Sequence, residues 1–484
     1  MKAMIPFAGP SYDGESYEVN YQRSINCFTE VVQTPGLDPV YVIFGYPGKR
    51  LFVKAGIGPI RGIHEGYDDA LYAVSGVDFY RITRVGSIAV PTKIGELDTD
   101  VGKVVFADSG NNNGTEIMLV DGTYGYVYNY GTQTITKIAD PDFPGQSSHC
   151  CFFSGYFVAN TTEGRFVRSA AYNGTQWDAL DFATAEQSPD ELRGIIADHN
   201  SLVLTGKDST EFWIDDGSKF FKPNKSRFVE YGSAASHSLA KGHGSTFFLA
   251  RNRQGQSMVM RVDGKGATKI SDYGLEQKIQ SYSTISDAEG FCYQIGGHPF
   301  YHLNFPQADK THLYDASTNQ WHELQRYNED VTKRGRDRAS CYATFKNLPL
   351  VGDYESGNIY ELSMGVYTEN GSPLIMEKVS AELHKDRRRI FIPRFELDME
   401  TGVGLEDVTA QGGDPEVVLY VSHDRGRTWN GGKHRKIGKT GERNRNVLWH
   451  LLGSDRSWNF KIVISDPIKR VIRSAIADIS VSPQ

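Results

Sequence analysis

A strand–turn–strand unit recurs along this chain, and its pattern is clearest at residues 60–82. Within it, residues 71–74 (LYAV) and 79–82 (FYRI) are rich in the aromatic and branched side chains that favour strands. The Ser75-Gly76 pair between them favours a tight turn. One such hairpin cannot bury its apolar face alone, so a chain that repeats it must stack the copies.

The spacing of the copies predicts the kind of stack. Later copies follow at residues 104–128, 151–180, 194–214, 246–262, 291–305 and 340–362. Their spacing of about 40–50 residues is that of a propeller blade with four strands. Residues 311–324 also resemble the outer hairpin of a kelch-type blade, with a Trp-bearing strand after a polar turn. We predict a β-propeller of about six blades over residues 55–365, with a large β-sandwich or a β-helix as the alternative.

The residues on either side of the repeats have different patterns. Residues 1–54 contain short apolar pieces between Pro and Gly residues, which predicts an extended arm and a first strand that pack on other elements. Residues 366–484 carry longer strands and longer loops, as a β-sandwich does. The predicted fold class is therefore all-β, with a β-propeller followed by a C-terminal β-sandwich-like domain.

Composition narrows the class of protein. The 484 residues include 50 Gly, 26 Tyr and 25 Phe, and the formal net charge is −7. No apolar run approaches the ~20 residues of a membrane helix, and the first residues lack the pattern of a signal peptide. The five Cys form no CxxC pair, and the adjacent Cys150 and Cys151 cannot bridge without strain. We expect a soluble protein without a membrane helix, assembled in a reducing compartment.

One short motif has a recognised form. Ser422, Asp424, Gly426, Thr428 and Trp429 match the Asp-box pattern S-x-D-x-G-x-T-W of sialidases and other β-proteins. In such a turn the carboxylate accepts backbone N–H groups, the Gly takes a special φ, and the Trp packs beneath the hairpin. We favour this turn-stabilising role over a sialidase site. A glycosidase would also need two positioned carboxylates, which the sequence does not single out among 59 acidic residues.

Basic residues cluster in three runs despite the negative net charge. The first run is residues 333–338, and the second is Arg387, Arg388 and Arg389. The third lies in a Gly-rich loop and consists of Lys433, Arg435, Lys436, Lys439, Arg443 and Arg445, with Arg425, Arg427 and His434 beside them. Such concentration predicts a docking surface for an acidic protein or for nucleic acid, with solubilising loop charge as the alternative. No interleaved aromatic residues mark a platform for single strands.

No motif predicts a catalytic, cofactor or metal site. Residues 149–151 (HCC) lie together, but no second pair follows at the spacing of a structural zinc site. Residues 56–62 lack the strand–helix context of a dinucleotide fingerprint, and no P-loop or nucleophile-elbow pattern occurs. The Asn-Gly pairs at residues 113–114 and 173–174 are predicted to form turns rather than to carry glycans.

Several short motifs resemble one family in both content and order. In the N-terminal part they are residues 19–30 (VNYQRSINCFTE), Pro47-Gly48, Arg61-Gly62, residues 71–76 (LYAVSG) and Phe79-Tyr80. In the C-terminal part they are residues 418–426 (VLYVSHDRG), 447–449 (VLW), Leu452-Gly453 and 456–462 (RSWNFKI). The chain resembles the packaged-DNA stabilisation proteins of short-tailed bacteriophages (podoviruses) of the Salmonella-phage type, which are tail hub or nozzle proteins.

The resemblance implies a structural role in the virion. In that family, six copies of a six-bladed propeller with an all-β tip form a ring below the portal and its adaptor ring. The ring closes the head after DNA packaging, passes double-stranded DNA at ejection, and anchors tailspikes or fibres and a needle or plug. The resemblance therefore implies a homohexamer in the short tail, assembled in the host cytoplasm, without enzymatic activity or a cofactor.

The same resemblance gives the basic runs a role. A channel wall that bound duplex DNA tightly would stall it, so we do not expect a strongly basic lumen. We expect the basic loops to contact neighbouring subunits or the adaptor ring, and reversal of the charges of Arg435 and Lys436 to weaken ring assembly. The alternative function is a propeller-fold glycan-binding protein or a sialidase-like glycoside hydrolase, acting as a free monomer on a sugar. A trimeric receptor-binding fibre would need coiled-coil heptads, and the sequence has none.

Overall fold

The computed structural model describes residues 1–14, 21–33, 39–110, 115–161, 163–185, 191–264, 266–329 and 332–482. Residues 19–20 of the N-terminal motif and the predicted turn at residues 113–114 lie outside these ranges. Almost all regular structure is β-strand. Helix in the described ranges is limited to α1 (Tyr273–Ser281) and a 3-10 turn at Ser236–Ser238.

The N-terminal segment, which was predicted to be an extended arm and one strand, contains several short strands. These are β1 (Lys2–Ile5), β2 (Tyr12–Asp13), β3 (Tyr21–Gln22), β4 (Ser24–Ile25), β5 (Cys27–Val32), β6 (Val40–Gly45) and β7 (Gly48–Lys54). β2 and β3 pair with each other, whereas the others join sheets that are built by later parts of the chain.

Seven antiparallel sheets, each of four principal strands, form a propeller within the described ranges. The first three sheets are β8 (Ile60–Glu65), β9 (Leu71–Ser75), β10 (Asp78–Val85) and β11 (Ile88–Glu96); β12 (Val105–Asp108), β13 (Glu116–Val120), β14 (Gly125–Asn129) and β15 (Thr134–Lys137); and β16 (Cys150–Phe153), β17 (Tyr156–Asn160), β18 (Arg165–Ala170) and β19 (Asn173–Thr184). Alternating buried residues on each strand pack one sheet against the next.

The next three blades follow the same order. They are β20 (Leu192–Asp198), β21 (Ser201–Gly206), β22 (Thr210–Ile214) and β23 (Lys222–Val229); β24 (Gly232–Ser233) and β25 (Ala240–Gly242), which both pair with β26 (Ser245–Arg251), then β27 (Ser257–Asp263) and β28 (Gly266–Lys269); and β29 (Glu289–Ile295), β30 (His298–Phe305), β31 (Lys310–Asp315) and β32 (Gln320–Leu324). A short hairpin of β33 (Arg326–Asn328) and β34 (Lys333–Gly335) leads to the seventh blade.

The seventh blade closes the propeller with a strand from the other end of the chain. It contains β35 (Ala339–Phe345), β36 (Leu348–Asp353), β37 (Asn358–Ser363) and β7. β7 pairs antiparallel with β37, from Gly48 opposite Ser363 to Lys54 opposite Asn358. The inner strands contact one another in order around the axis, and β35 returns to contact β8.

The predicted count of about six blades is therefore wrong by one. The last repeat supplies only three consecutive strands, because its fourth strand, β7, lies in the N-terminal segment. A count of strands along the sequence therefore finds only three of the four strands of the last blade. Closure of this kind holds the first and last blades together through backbone hydrogen bonds, which side-chain packing between blades does not provide.

The C-terminal residues form a two-layer sandwich together with N-terminal strands. The later strands are β38 (Thr368–Glu369), β39 (Ser372–Pro373), β40 (Met376–Val379), β41 (Leu383–His384), β42 (Ile390–Met399), β43 (Glu416–Ser422), β44 (Lys433–Lys436), β45 (Val447–Asp455), β46 (Ser457–Ile464) and β47 (Val471–Val481). One layer has the order β45-β42-β47-β6-β5, and the other has β4-β40-β46-β43-β44. Fully buried side chains, among them Phe395, Trp449 and Trp458, fill the space between the layers. The predicted class, a propeller followed by a sandwich-like domain, is confirmed.

Both ends of the chain meet in the sandwich. β1 pairs antiparallel with β47, from Lys2 opposite Asp478 to Ile5 opposite Ala475. The N–H of Ile479 also donates to the carbonyl of Met1 at 2.7 Å. The first and last strands of the described chain are therefore neighbours in one sheet.

One continuous sheet links the propeller to the sandwich. β4 lies parallel to β32 of the sixth blade, with Ile25 opposite Glu323, and antiparallel to β40. The side-chain amide of Asn26 then donates to the carbonyls of Gln325 and Ile375, both at 2.8 Å. Its oxygen accepts the N–H of Gln325 at 3.0 Å. The two domains are thus joined by hydrogen bonds through the N-terminal segment as well as by the chain itself.

Aromatic side chains of the N-terminal segment also fill the space between the sixth and seventh blades. Phe28 and Tyr46 belong to one apolar cluster with Phe300 and Tyr360. The ring centroids of Phe28 and Phe300 are 5.5 Å apart in an edge-to-face arrangement, which aromatic pairs favour. Because this segment packs on both domains, the domain limits at residues 1–54, 55–365 and 366–484 stay a prediction.

A buried ion cluster fixes β7 in the seventh blade. The Lys49 ammonium lies 2.5 Å from Asp337 and 2.9 Å from Glu369, and each of the three side chains is at most 5% exposed. Burial raises the pKa of Asp337, but the Lys49 ammonium and His302 outweigh it and hold that pKa below its usual range. Buried charges are tolerated only in such pairs, because desolvation costs several kcal/mol per ion.

Lys49→Met would leave Asp337 and Glu369 buried without their cation. We expect the free energy of unfolding to fall by about 3–5 kcal/mol, measured by denaturant unfolding of the full chain. The control is Arg50→Met on the same strand, because Arg50 pairs with Glu361 while its side chain is 62% exposed. That change should cost about 1 kcal/mol or less. Equal losses in the two variants would show that the cluster does not hold β7.

Candidate docking surfaces and the axial cavity

The inner strands of the blades enclose a cavity of about 660 Å³ on the propeller axis. Each blade contributes side chains to its wall, and these include Ile63, Phe106, Cys150, Ile195, Lys241, Phe291 and Tyr342. The axis is therefore lined by a mixture of apolar and polar groups rather than by one sign of charge.

Two stacked imidazoles lie at the wall of this cavity. The ring centroids of His149 and His237 are 5.0 Å apart, with 25° between the ring planes. Burial lowers the pKa of His149 to about 3 and that of His237 to about 4. Both rings are therefore neutral at pH 7. The Lys103 ammonium, another basic group on this wall, is paired with Glu289 at 2.9 Å.

Arg61, at the start of the first inner strand, organises the loops at one end of the first blade. Its guanidinium donates hydrogen bonds of 2.6–3.0 Å to the carbonyls of Gly76, Thr99, Val101 and Gly102 and to the Thr99 hydroxyl. These five bonds use every N–H donor of a side chain that is almost fully buried. The loops that carry the accepting groups are thereby held in place.

The Asp-box-like residues form a turn that is held by its own hydrogen bonds. The Asp424 carboxylate accepts the N–H of Thr428 at 2.8 Å and its hydroxyl at 2.6 Å. The Ser422 hydroxyl accepts the N–H of Gly426 at 2.8 Å and lies 2.7 Å from Asp424. Burial raises the pKa of Asp424, but the bonds from Thr428 and Ser422 outweigh it and bring that pKa to about 2. The carboxylate of the motif is therefore engaged within the turn.

The same turn packs on the N-terminal segment. Gly426 has a φ of 91°, and a Cβ at this position would meet the ring of Tyr21 at 2.4 Å. Glycine is therefore required both for the backbone angle and for the close approach of Tyr21. On the other side, the Lys461 ammonium lies 4.6 Å from the ring centroid of Trp429. This geometry fits a structural turn that ties β43 to the segment before β4.

The second basic run forms an exposed turn between β41 and β42. Asp386 and Arg387 have φ angles of 48° and 57°, and the N–H of Arg388 donates to the carbonyl of Lys385 at 2.8 Å. The side chains of Arg387 and Arg389 are exposed, and that of Arg388 is half-buried. Among the described residues, none of these three guanidinium groups has a hydrogen-bond or ion-pair partner. Their charge is available to another molecule.

The third basic run is partly neutralised within the sandwich. The Lys436 ammonium lies 2.8 Å from Glu416 and 3.3 Å from Asp414. Arg435, its neighbour on the edge strand β44, donates to the carbonyl of Leu448 at 2.6 Å. Charge reversal at these two positions would therefore disturb the sandwich itself, and it is a poor test of docking.

Other members of the third run remain available. Arg445 lies 3.2 Å from Glu442. In contrast, the charged groups of Lys433, Lys439 and Arg443 have no hydrogen-bond or ion-pair partner within the part of the chain that the structure describes. These three cations, rather than Arg435 and Lys436, form the free part of this surface.

The second and third runs lie at opposite ends of the sandwich. β42 begins at Ile390, directly after Arg389, whereas Val447, two residues after Arg445, lies opposite Leu397 near the far end of that strand. About seven residues of strand separate the two runs, or on the order of 23 Å. The structure therefore gives two separate basic surfaces, not one.

The first basic run is used inside the chain. Within residues 333–338, Arg334 lies 2.8 Å from Glu377, and Arg338 lies 3.1 Å from Asp353. Two of the four cations in a run that was predicted to form a docking surface are therefore paired within the chain. No local sequence pattern indicates these pairs, because each partner lies at least 15 positions away on another strand or loop.

A buried ionic junction at the N-terminal segment was not predicted from the sequence. Arg23 lies 2.6 Å from Glu323, whose side chain is 5% exposed, and Lys278 of α1 lies 3.1 Å from the same carboxylate. The two cations outweigh the effect of burial and hold the pKa of Glu323 well below its usual range. The one sequence feature that involves Arg23 is its place in the N-terminal motif, at the start of residues 23–26 (RSIN).

The described ranges contain no cluster of metal-ligating side chains and no helix that could cross a membrane. There, no three His, Cys, Asp or Glu side chains are grouped so as to hold a metal ion, and the adjacent Cys150 and Cys151 are free thiols. Burial raises the pKa of Cys151 to about 12, so its thiol is protonated at neutral pH. None of the helix in these ranges is long and apolar enough to span a bilayer.

Comparison with family models matches both domains. The model described as "Bacteriophage P22 Gp10, beta-propeller" matches residues 20–367, and the one described as "Bacteriophage P22 Gp10, beta-sandwich" matches residues 376–480. The chain belongs to the bacteriophage P22 Gp10 family. The resemblance inferred from the short motifs is thus confirmed. Membership in the P22 Gp10 family makes the chain a structural component of a phage tail and places it in the virion.

Similar solved structures share little sequence with this P22 Gp10 family member. The WD40 propeller domain of Doa1 has 9% identity and a TM-score of 0.42, with 66% of this chain and 97% of that chain covered. YCF48 bound to D1 peptide has 13% identity and a TM-score of 0.40, with 68% and 99% covered. The computationally designed Ika8 protein has 9% identity and a TM-score of 0.35, with 65% and 99% covered. A comparison with curated proteins finds no match.

The buried histidines predict that stability falls below neutral pH. Burial holds the pKa of His149, His312 and His322 at about 3, and that of His237 and His302 at about 4. Below about pH 6.5 the unfolded chain binds protons that these rings do not bind in the folded state, so the free energy of unfolding falls. Each ring contributes up to about 1.4 kcal/mol per pH unit. We expect a clear loss between pH 6.5 and 5, measured by urea unfolding.

A double variant tests the assignment of this pH dependence. His149→Gln with His237→Gln should reduce the slope of unfolding free energy against pH, because two of the buried rings whose pKa is lowered no longer titrate. The slope is informative even if the double variant is less stable at pH 7. Wild-type stability that stayed constant from pH 7 to pH 5 would contradict the prediction.

Proposed function

We propose that this chain is the tail hub, or nozzle, subunit of a short-tailed phage. Six copies form a ring below the portal and its adaptor ring. The ring closes the portal channel after DNA packaging, retains the genome and becomes the conduit for DNA at ejection. Tailspikes or fibres and a needle or plug attach to it, and the ring assembles in the host cytoplasm.

The observation that carries this proposal is the family match over both domains in chain order, at residues 20–367 and 376–480. The joint between the domains supports it. A sheet that runs from β32 through β4 into β40 couples the propeller to the sandwich by backbone hydrogen bonds. A subunit with such a joint suits a wall that must keep its shape under the pressure of packaged DNA.

The size of the axial cavity bears on the path of the DNA. A sphere of the same volume, about 660 Å³, would be about 11 Å across, less than the ~12 Å width of the major groove alone. A duplex therefore does not fit through the axis of one propeller. In the proposed assembly the DNA passes through the centre of the ring, between subunits, and the propellers form its wall.

The charge distribution supports passage without tight binding. The chain has a net charge of −7, and cations such as Lys49, Arg23 and Lys278 are paired with carboxylates inside the fold. Duplex DNA carries one negative charge per about 1.7 Å of its length, so an acidic wall does not hold it. The free basic surfaces are assigned to protein contacts with neighbouring subunits or the adaptor ring.

Single-particle imaging of purified virions tests the proposal. We expect density for six copies of the propeller and sandwich in the tail, directly below the adaptor, with the propeller axes outside the central channel. The same images would show which proteins contact the basic surfaces. A chain absent from the tail, or present there as isolated copies, would refute the ring.

Charge reversal of the free cations tests their role in docking. Lys433→Glu, Lys439→Glu and Arg443→Glu together should lower the yield of complete tails at least about tenfold, because repulsion replaces attraction at the contact. The measurement is the fraction of virions with complete tails after complementation of a phage that lacks the wild-type chain. The matched control reverses Lys2, Lys54 and Arg84. Equal yields from both variants would exclude this surface from docking.

A further inference from the structure

One exposed edge of the sandwich combines free positive charge with apolar side chains. In the register of β42 and β45, Phe391 lies opposite Ser454, which brings the 387–389 turn beside Arg456. Phe391 is 39% exposed, and Leu451, on the same strand as Ser454, is 72% exposed. We call the surface formed by Arg387, Arg389, Arg456, Phe391 and Leu451 the basic edge.

Two residues of the basic edge have a backbone conformation that is costly for them. Arg387 has a φ of 57° and Leu451 a φ of 54°. An L-residue with a side chain pays about 1–2 kcal/mol in this region, whereas Gly fits it freely. Both side chains point outward and bury little surface in the chain itself. Because these two side chains are exposed and pack little within the chain, they are available for a contact with another molecule.

A second exposed surface lies on the first blade of the propeller. Three apolar side chains stand out from its loops: Ile57 is 90% exposed, Val101 is 71% exposed and Val77 is 37% exposed. Asp98 and Asp100, both exposed, lie on the same loop as Val101. We call the surface formed by these five residues the acidic face.

Arg61 holds the acidic face rigid. Its buried guanidinium donates to the carbonyls of Gly76 and Val101, next to Val77 and Asp100. The loop before it is fixed as well, because the carbonyl of Pro59 accepts the N–H of Gly76 at 2.9 Å. A surface that is already ordered loses little conformational entropy when it binds. Exposed apolar side chains on rigid loops are therefore well placed for a protein contact.

The charges of the acidic face are largely available. Asp98 forms only a half-exposed pair with Lys137 at 2.6 Å, a kind of pair worth about 1 kcal/mol or less. Asp100 has no ion pair with any residue that the structure describes. The basic edge and the acidic face thus offer opposite charges around apolar centres, and no hydrogen bond or ion pair joins them within the described chain.

We propose that the basic edge of one copy contacts the acidic face of the next copy in the ring. Each copy carries one of each surface, so the contact is heterologous, and repetition of a heterologous contact closes a ring when its rotation permits. Arg and aromatic side chains around an apolar centre are typical of such contacts. The inference rests on the ring of the proposed function and assigns its subunit contact.

Charge reversal on each surface gives a sharp test. The edge variant is Arg387→Asp with Arg389→Asp, and the face variant is Asp98→Lys with Asp100→Lys. Each variant alone should assemble at least about 30-fold more weakly than the wild type, because like charges then meet at every contact. Sedimentation velocity of the full chain at low salt measures this. The matched control, Arg251→Asp with Arg253→Asp, should assemble as the wild type does.

An equal mixture of the two variants provides the decisive result. The reversed edge of one variant fits the reversed face of the other, and the unchanged edge and face also match. The mixture should therefore restore an alternating ring with an even number of copies, although neither variant assembles alone. If the wild type forms its ring only on the virion, the same comparison is made by counting complete tails after expression of one variant or both.

The outcomes separate this inference from the proposed function. A wild-type ring that both variants form equally well would overturn the contact and leave the ring standing. Absence of a wild-type ring, both in solution and in virions, would remove the proposed function itself. An edge variant that assembles normally but loses affinity for a DNA duplex would show that the basic edge is a nucleic-acid surface, and the inference would be wrong.

Discussion

The pairing of β7 with β37 is the contact on which the rest of the molecule depends. Neighbouring blades of a propeller meet only through side chains, so a ring of blades stays open to distortion at the point where its two ends meet. Here that point is joined by a backbone ladder and by the buried Lys49 ammonium between Asp337 and Glu369. The same N-terminal segment places Phe28 and Tyr46 between the sixth and seventh blades. Closure of the propeller and packing of the N-terminal segment therefore depend on each other.

That segment also explains why the sandwich and the propeller form one unit. β1, β5 and β6 lie in one layer of the sandwich, β4 lies in the other, and β7 lies in the propeller. Asn26 contacts Gln325 on one side and Ile375 on the other. A subunit of this kind resists bending between its domains, because bending would break hydrogen bonds in a shared sheet. In the proposed ring, this stiffness would hold the surfaces at both ends of a subunit in register with the neighbouring copies.

Features formed by residues close together in the sequence could be predicted. Features that depend on pairing between distant parts of the chain could not. The hairpin repeat at residues 60–82 and its copies indicated a propeller, because each copy pairs strands that are adjacent in sequence. The blade count was one short of the seven repeats, because the last repeat supplies only three strands and its fourth, β7, pairs with β37 across most of the chain. Charge was misjudged for the same reason: residues 333–338 look free in sequence, yet Arg334 and Arg338 find carboxylates on distant elements. The sequence showed that the run at residues 387–389 is basic. The positive φ angles of Asp386 and Arg387 are visible only in the structure.

The pairing of β1 with β47 sets the order in which this protein can be made. The ribosome adds roughly 5–20 residues per second, so β7 waits on the order of 15–60 s for β37, and β1 waits longer still for the last strand. Until β37 and β47 have been synthesised, β7 and β1 expose strand edges that have no partner. Any product that stops before β47 lacks the strand with which β1 pairs. Only a chain that extends through β47 can therefore complete the sandwich, and a chain that stops before β47 cannot offer that domain to an assembling tail.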